Sequence, residues 1–256
     1  MRSSAILALS LSAALGAALP AAAQDRSFNF SLLGGIAAKP DYPGASDYSA
    51  TPLAGFTFGS LTYGGRAMGA GIGAIPKNGF RFGGSFRVVG SRRISDNPQL
   101  AGLKEISTAY ELGLGVTYQQ TNWNVFGNIR QGFGGHHGVT GTIGSDLIFR
   151  PSDRLTISGG PRINLGDSEY ASTYFGVSAA EAGASTFGQF NAGGGVLGAG
   201  VSVRATYNLN DRWSLEGLAS YEKLMNDAKD STITQAGSED QWTVGIGLSR
   251  AFTLRF

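Results

Sequence analysis

Along the last sixteen residues of the chain, apolar and polar positions alternate one for one. Even positions read Trp242, Val244, Ile246, Leu248, Arg250, Phe252, Leu254 and Phe256; odd positions read Gln241, Thr243, Gly245, Gly247, Ser249, Ala251, Thr253 and Arg255. Period two belongs to a strand, because successive side chains leave opposite faces of an extended backbone. Strands of soluble domains average about five or six residues. A tilted strand crossing a bilayer needs about 9–11, and this one is long enough.

The alternation recurs upstream at 213–222, 201–209, 155–165, 139–149, 123–130, 106–118 and 80–88, with shorter candidates at 28–37, 51–58, 61–66 and 68–75. The pattern predicts an all-β protein, an antiparallel transmembrane β-barrel of about 12 strands. Tight polar turns at 119–122, 151–153 and 210–211 alternate with long connections at 39–50, 90–104, 133–138, 166–192 and 225–240. Short periplasmic turns and long extracellular loops are the outer-membrane layout. Tyr118, Trp123, Phe149, Tyr207, Trp213 and Phe256 gather beside the short turns as an interfacial girdle. Pro161 interrupts the strand at 155–165 and predicts a bulge at Gly159–Gly160–Pro161. The terminal Phe256 resembles the signal by which outer-membrane barrels are recognised for assembly.

Parity also assigns the charges. Arg66, Arg81, Arg87, Arg130, Arg162 and Arg204 fall on the face opposite the apolar one, as do Glu111, Asp146, Glu216 and Glu222. These residues point into the lumen. A charge there is paired or hydrated, so the lumen is a salt-bridge network or a wet pore, and the mostly filled lumen is favoured.

Composition narrows the setting. Gly at 40 of 256 residues, with 11% aromatic and only 15% charged residues, excludes a disordered chain and suits a turn-rich β protein. A net charge of +2 without a basic cluster gives no reason to expect nucleic acid. Cys is absent, which removes disulfides, thiolate metal sites and a cysteine nucleophile. Residues 1–23 read as a signal peptide: Met1–Arg2, an uncharged Ala/Leu-rich run, then Ala21–Ala22–Ala23 before Gln24. The mature barrel is then 24–256, an exported protein of the bacterial cell outer membrane with membrane lipid around it.

Candidate chemistry is sparse. His136 and His137 are the only histidines, and neighbours on an extended chain point apart, which makes a poor metal site. No Gly-x-Ser-x-Gly elbow and no phosphate loop appear. No catalytic residue, cofactor or metal site is assigned. Asp227 and Asp230 beside Glu239 and Asp240 read as a solvated acidic loop, with a divalent-cation site in an outer loop as the alternative.

Several stretches resemble the MipA/OmpV family, the MltA-interacting outer-membrane proteins. They are Tyr42–Pro43–Gly44 through Tyr48, the Gly-His loop around His136, Gly160–Pro161–Arg162 followed by Tyr174–Phe175–Gly176–Val177–Ser178, and the late element from Leu224 through Asp227 and Asp230 to Ser231. In the last, Asn226 replaces the family's usual Gly, and Thr232 stands where Pro is common. The matches follow the family order over the mature chain. The resemblance implies an outer-membrane barrel and a scaffold role linking a murein transglycosylase to a penicillin-binding protein. It marks Tyr42, Gly44, Tyr48, His136, Tyr174, Phe175, Asp227 and Asp230 as loop residues for interaction. A narrow small-solute channel and, less favoured, an outer-membrane lipid-modifying enzyme are the competing readings.

Overall fold

The computed structural model describes residues 26–69 and 77–256. Its strands are β1 (Ser27–Pro40), β2 (Tyr48–Tyr63), β3 (Arg66–Gly69), β4 (Gly79–Val89), β5 (Ala109–Gln119), β6 (Trp123–Gly134), β7 (Val139–Ser152), β8 (Leu155–Gly166), β9 (Gly195–Asn208), β10 (Trp213–Leu224) and β11 (Asp240–Arg255). They form one antiparallel sheet of eleven strands in the order β3-β2-β1-β11-β10-β9-β8-β7-β6-β5-β4. Strands adjacent in sequence are adjacent in the sheet, except that β3 and β4 form its two edges, and β1 pairs with β11 to join the two ends of the chain.

The sheet is inside out relative to a soluble core. Phe82 is 85% exposed, Leu147 74% and Leu114 71%, whereas Glu111, Thr140 and Arg130 are buried. Only a wall with lipid outside and polar groups inside gives that arrangement, because apolar area in water would be unfavourable at this scale. No helix among the described residues is long and apolar enough to cross a membrane. The outer-membrane β-barrel class is borne out.

Local irregularities explain the differences from the periodicity. The candidate at 51–58 and the first half of that at 61–66 are one strand, β2; a turn at 64–65 follows, and Arg66 opens β3. What splits the pattern is a register shift: Asn29 pairs with Ser60 and Phe30 with Phe58, so Gly59 is an extra residue. Ser60 turns inward and accepts a hydrogen bond from Asn29 at 2.9 Å. The candidate at 68–75 falls mostly outside the described residues. Ile106 does not lead the next strand; β5 begins at Ala109, and Ile106 is buried in the loop end.

The bulge expected at Gly159–Gly160–Pro161 is absent. Against β9, Gly160, Pro161 and Arg162 stay in continuous register. Against β7 the register is also unshifted, but the ladder skips from Gly144↔Arg162 to Leu147↔Gly159. The reason is chemical. Ser145 faces Pro161, which has no N–H to give. The Arg162 Nη1 donates instead, to Ser145 O at 2.8 Å and Pro161 O at 2.9 Å. A side chain fills the gap in the ladder, so the strand need not bend.

The connections at 41–47, 90–108, 135–138, 167–194 and 225–239 leave the same end of the wall, and they fold. Asp167 caps α1 (Ser168–Phe175), accepting from Tyr170 N, and Ser178 and Glu181 form a capping box on α2 (Ala179–Ala184). The 225–240 loop makes α3 (Asn226–Asp230) and α4 (Thr232–Ala236). These pieces bury two apolar clusters. One joins Tyr170, Tyr174 and Phe175 to Ile106, Leu197, Leu224 and Ala228; the other joins Tyr42, Leu100, Leu103, Val177, Phe187 and Ile233. The loops therefore form a packed cap, and the largest fully buried side chains include Tyr174, Phe175, Leu100 and Ile233.

Candidate functional site

Beneath the cap, four adjacent strands converge on one carboxylate. Glu111 on β5 lies opposite Arg87 on β4, and its side chain is 0% exposed. Arg87 binds it in two-pronged fashion, Nη2 to Oε1 at 2.6 Å and Nε to Oε2 at 2.8 Å. Arg130 of β6 adds Nε to Oε2 at 3.0 Å, and the Thr140 hydroxyl of β7 donates at 2.9 Å. Arg130 is further held by Ser85 Oγ at 3.1 Å and Thr142 Oγ1 at 2.8 Å. The buried charges, Glu111 and Arg130, both have partners, the condition under which burial of ions is tolerable, and Arg87 is half-buried.

The fourth partner comes from the loop. Gly132 sits opposite Glu111 in β6 and leaves an empty slot over the carboxylate. His136 folds back into it, with Nε2 3.2 Å from Glu111 Oε1. A methyl group at Gly132 would overlap the imidazole ring. The ring then packs edge-on against Tyr170 at 5.0 Å and Tyr174 at 5.6 Å, so one histidine joins the lumen cluster to α1 of the cap. Burial depresses the His136 pKa against the opposing pull of Glu111, and burial raises those of Tyr170 and Tyr174. Nε2 is the nitrogen facing the carboxylate, and Nδ1 has no partner among the described residues. A Ser–His–carboxylate relay is therefore not assembled on His136. No group of three metal-ligating side chains is present among the described residues.

Two further lumen pairs grow wetter toward the short turns. Arg162 and Asp146 meet at 2.5 Å with 19% and 14% of their side chains exposed; Arg204 and Glu216 meet at 2.7 Å with 48% and 16%. Glu222 lines a cavity of about 200 Å³ with Arg87, Asn164, Tyr170 and Gln241. Arg66, at the start of β3, and Arg81, in β4, are exposed and in no ion pair among the described residues.

The loop candidates divide. Tyr42, Tyr174 and Phe175 are inside the cap core and unavailable to a surface partner. Gly44 has φ +94, and a Cβ there would press on Thr234 Oγ1, so only glycine fits; its N–H donates to Gln241 Oε1 at 3.2 Å. Tyr48 is exposed, and its hydroxyl accepts from Trp242 N at 3.1 Å. Asp227 accepts from Gly193 N at 2.5 Å, while Asp230 is exposed at the end of α3. Asn226 has φ +49, the left-handed region that Gly enters freely and Asn tolerates, which is why Asn can replace Gly there. Phe256 is 66% exposed, with its N–H donating to Arg26 O at 3.2 Å.

Sequence reading missed Arg92. It is buried and donates to Tyr174 O at 3.1 Å and Lys104 O at 3.3 Å, holding the 90–108 loop against α1. Ser231 acts likewise on Phe175 O at 2.6 Å. No local pattern announces such residues. Their partners lie 82 and 56 positions away in sequence.

With this geometry in place, comparison with known proteins is informative at the family level. Outer membrane protein Omp26La of Vibrio anguillarum is 33% identical over 90 residues, 35% of this chain and 34% of that protein. The chain thus matches about a third of that relative's length. Among solved structures, OprD of Pseudomonas aeruginosa matches at 12% identity and TM-score 0.35, covering 70% of this chain and 50% of that one. The Ralstonia pickettii toluene transporter TbuX matches at 10% identity and TM-score 0.30, covering 91% and 90%. Likeness this loose says nothing about solutes. The family model described as MltA-interacting protein MipA matches residues 32–252, from within β1 to within β11, and the chain belongs to that family of outer-membrane proteins.

Proposed function

We propose that the protein is a closed, non-enzymatic barrel that serves as a scaffold in the cell envelope, exported by a signal peptide at 1–23 and mature from 24. The observation that carries this reading is the cap: its core side chains Tyr174, Phe175, Leu100 and Ile233 are at most 1% exposed, and it is fastened to the lumen through His136 and Glu111. A barrel stoppered in this way offers rigid surfaces rather than a path for solute. The family description, MltA-interacting protein, supports a murein transglycosylase as one partner, and the sequence resemblance adds a murein-synthesising penicillin-binding protein as the other. Both work on murein, so the short turns and strand ends facing it are the docking elements in this reading.

Photo-crosslinking residues placed at Asp153 and Asp211 in the short turns, and at Ser46 in the loop end, test it in intact envelopes. The scaffold reading expects murein-enzyme adducts from the turn positions and none from Ser46. Adducts from Ser46 alone, or no murein enzyme among the adducts, would reject it.

A further inference from the structure

The outer face of β11 carries one cation. Its outward positions are Trp242, Val244, Ile246, Leu248, Arg250, Phe252 and Leu254. Arg250 pairs across strands with Trp213 of β10 and with Leu32 of β1, both exposed on the same lipid-facing side. Its guanidinium lies 5.2 Å from the Trp213 ring and 5.0 Å from the Phe252 ring. Trp213 opens β10 directly after the 209–212 turn, and Arg212 O accepts from Ala251 N at 2.8 Å. Arg212 and Arg250 therefore stand at one level, at the short-turn rim.

Lys223 shows what compensation looks like on the same outer face of β10. It lies at the opposite end and is paired with Glu239 at 2.9 Å. Neither Arg212 nor Arg250 has a carboxylate within ion-pair distance among the described residues. Arg66, Arg150, Arg154 and Arg255 gather at the same rim, and among the described residues the short turns there carry the carboxylates Asp153 and Asp211. Guanidinium stays ionised at every accessible pH and suits phosphate geometrically. A cation on the lipid face is tolerated at the headgroup level, where the bilayer itself supplies anions. The rings fix the guanidinium from the sides and leave its outer edge toward the lipid.

We infer that Arg250, bracketed by Trp213 and Phe252 and assisted by Arg212, is a binding site for the phosphate of an anionic glycerophospholipid in the leaflet at the short-turn rim. Lipid is favoured over a soluble acidic partner because Leu32, Leu248, Phe252 and Leu254 surround the site on the wall that acyl chains cover.

The test uses the full-length mature protein in phosphatidylcholine vesicles containing a trace of spin-labelled phosphatidylglycerol or spin-labelled phosphatidylcholine. Electron paramagnetic resonance then gives the motionally restricted fraction of each label. Wild type is expected to select phosphatidylglycerol several-fold, less so as salt rises, and Arg250→Gln should bring the ratio close to one. Arg250→Lys should restore part of it. Should Arg250→Gln fail to fold, Arg212→Gln and the salt series in wild type carry the test. Equal binding of the two lipids by wild type at low salt overturns the inference. So does unchanged selectivity in folded Arg250→Gln, including the case where that variant instead loses binding to isolated murein sacculi, which would make the site a contact for murein.

Discussion

At the loop end of the barrel, Glu111 is wholly enclosed and bonded by Arg87, Arg130, Thr140 and His136. At the short-turn end, Arg204 holds Glu216 with 48% of its side chain still accessible. The same pairing chemistry thus meets two dielectric settings. In the enclosed cluster, loss of one partner strands the others without water. In the wetter pair, water replaces whatever is lost. The difference lies in the junction between strand charges and a folded cap, rather than in the number of charges inside.

Breaking the enclosed side should cost most. Glu111→Ala leaves the buried Arg130 and the half-buried Arg87 without their counter-charge, and should destabilise the barrel by about 3–5 kcal/mol. Reversible urea unfolding in vesicles measures this, and a cost near that of a surface pair would show that the cluster is hydrated. Next comes the wall. Val203 is outward and 47% exposed, so Val203→Arg should cost about 2–4 kcal/mol if it lies near the bilayer midplane. A neutral result would mean that the register of β9 is wrong.

Gly132→Ala sharpens the comparison, since it touches the junction without removing a charge. Overlap with the His136 ring should cost about 1–3 kcal/mol and detach the cap first, visible as faster hydrogen exchange in α1 than in the strands. Acid acts on the same point. His136 has its pKa lowered by burial, so the folded state prefers the neutral ring more than the unfolded chain does. Its contribution is complete above the unfolded value of about 6.5 and is lost as pH falls through the lower folded value. Thermal unfolding followed from pH 8 downward should show this loss, and His136→Gln should remove that step from the profile. The smallest effect belongs to the wet pair. Arg204→Ala should change stability by no more than about 1 kcal/mol, because an ion pair this exposed is screened. A cost equal to that of Glu111→Ala would erase the distinction between the two ends.

The wall was legible because period two leaves a direct trace in the sequence, as in Trp242 through Leu254. The strand count was harder to read. Gly59 inserts one residue into β2 and breaks the alternation without breaking the strand. Pro161 misled in the opposite way, since the usual remedy of a bulge is replaced by the neighbouring Arg162 side chain. The cap was the least legible region. Its helices have five to eight residues, too short for a periodic signature, and their stability comes from contacts between loops far apart in sequence. Parity placed Glu111, Arg87 and Arg130 on one face, but it could not show that Gly132 admits His136 among them.

The central claim, that the folded loops seal the lumen, is tested most directly by single-channel recording in planar bilayers. The wild-type barrel should add no stepwise conductance, and a variant with 167–194 replaced by a short Gly-Ser turn, which removes α1 and α2, should add discrete steps. Regular conductance steps from the wild-type protein, of the same size as those of the loop-replaced variant, would contradict the account.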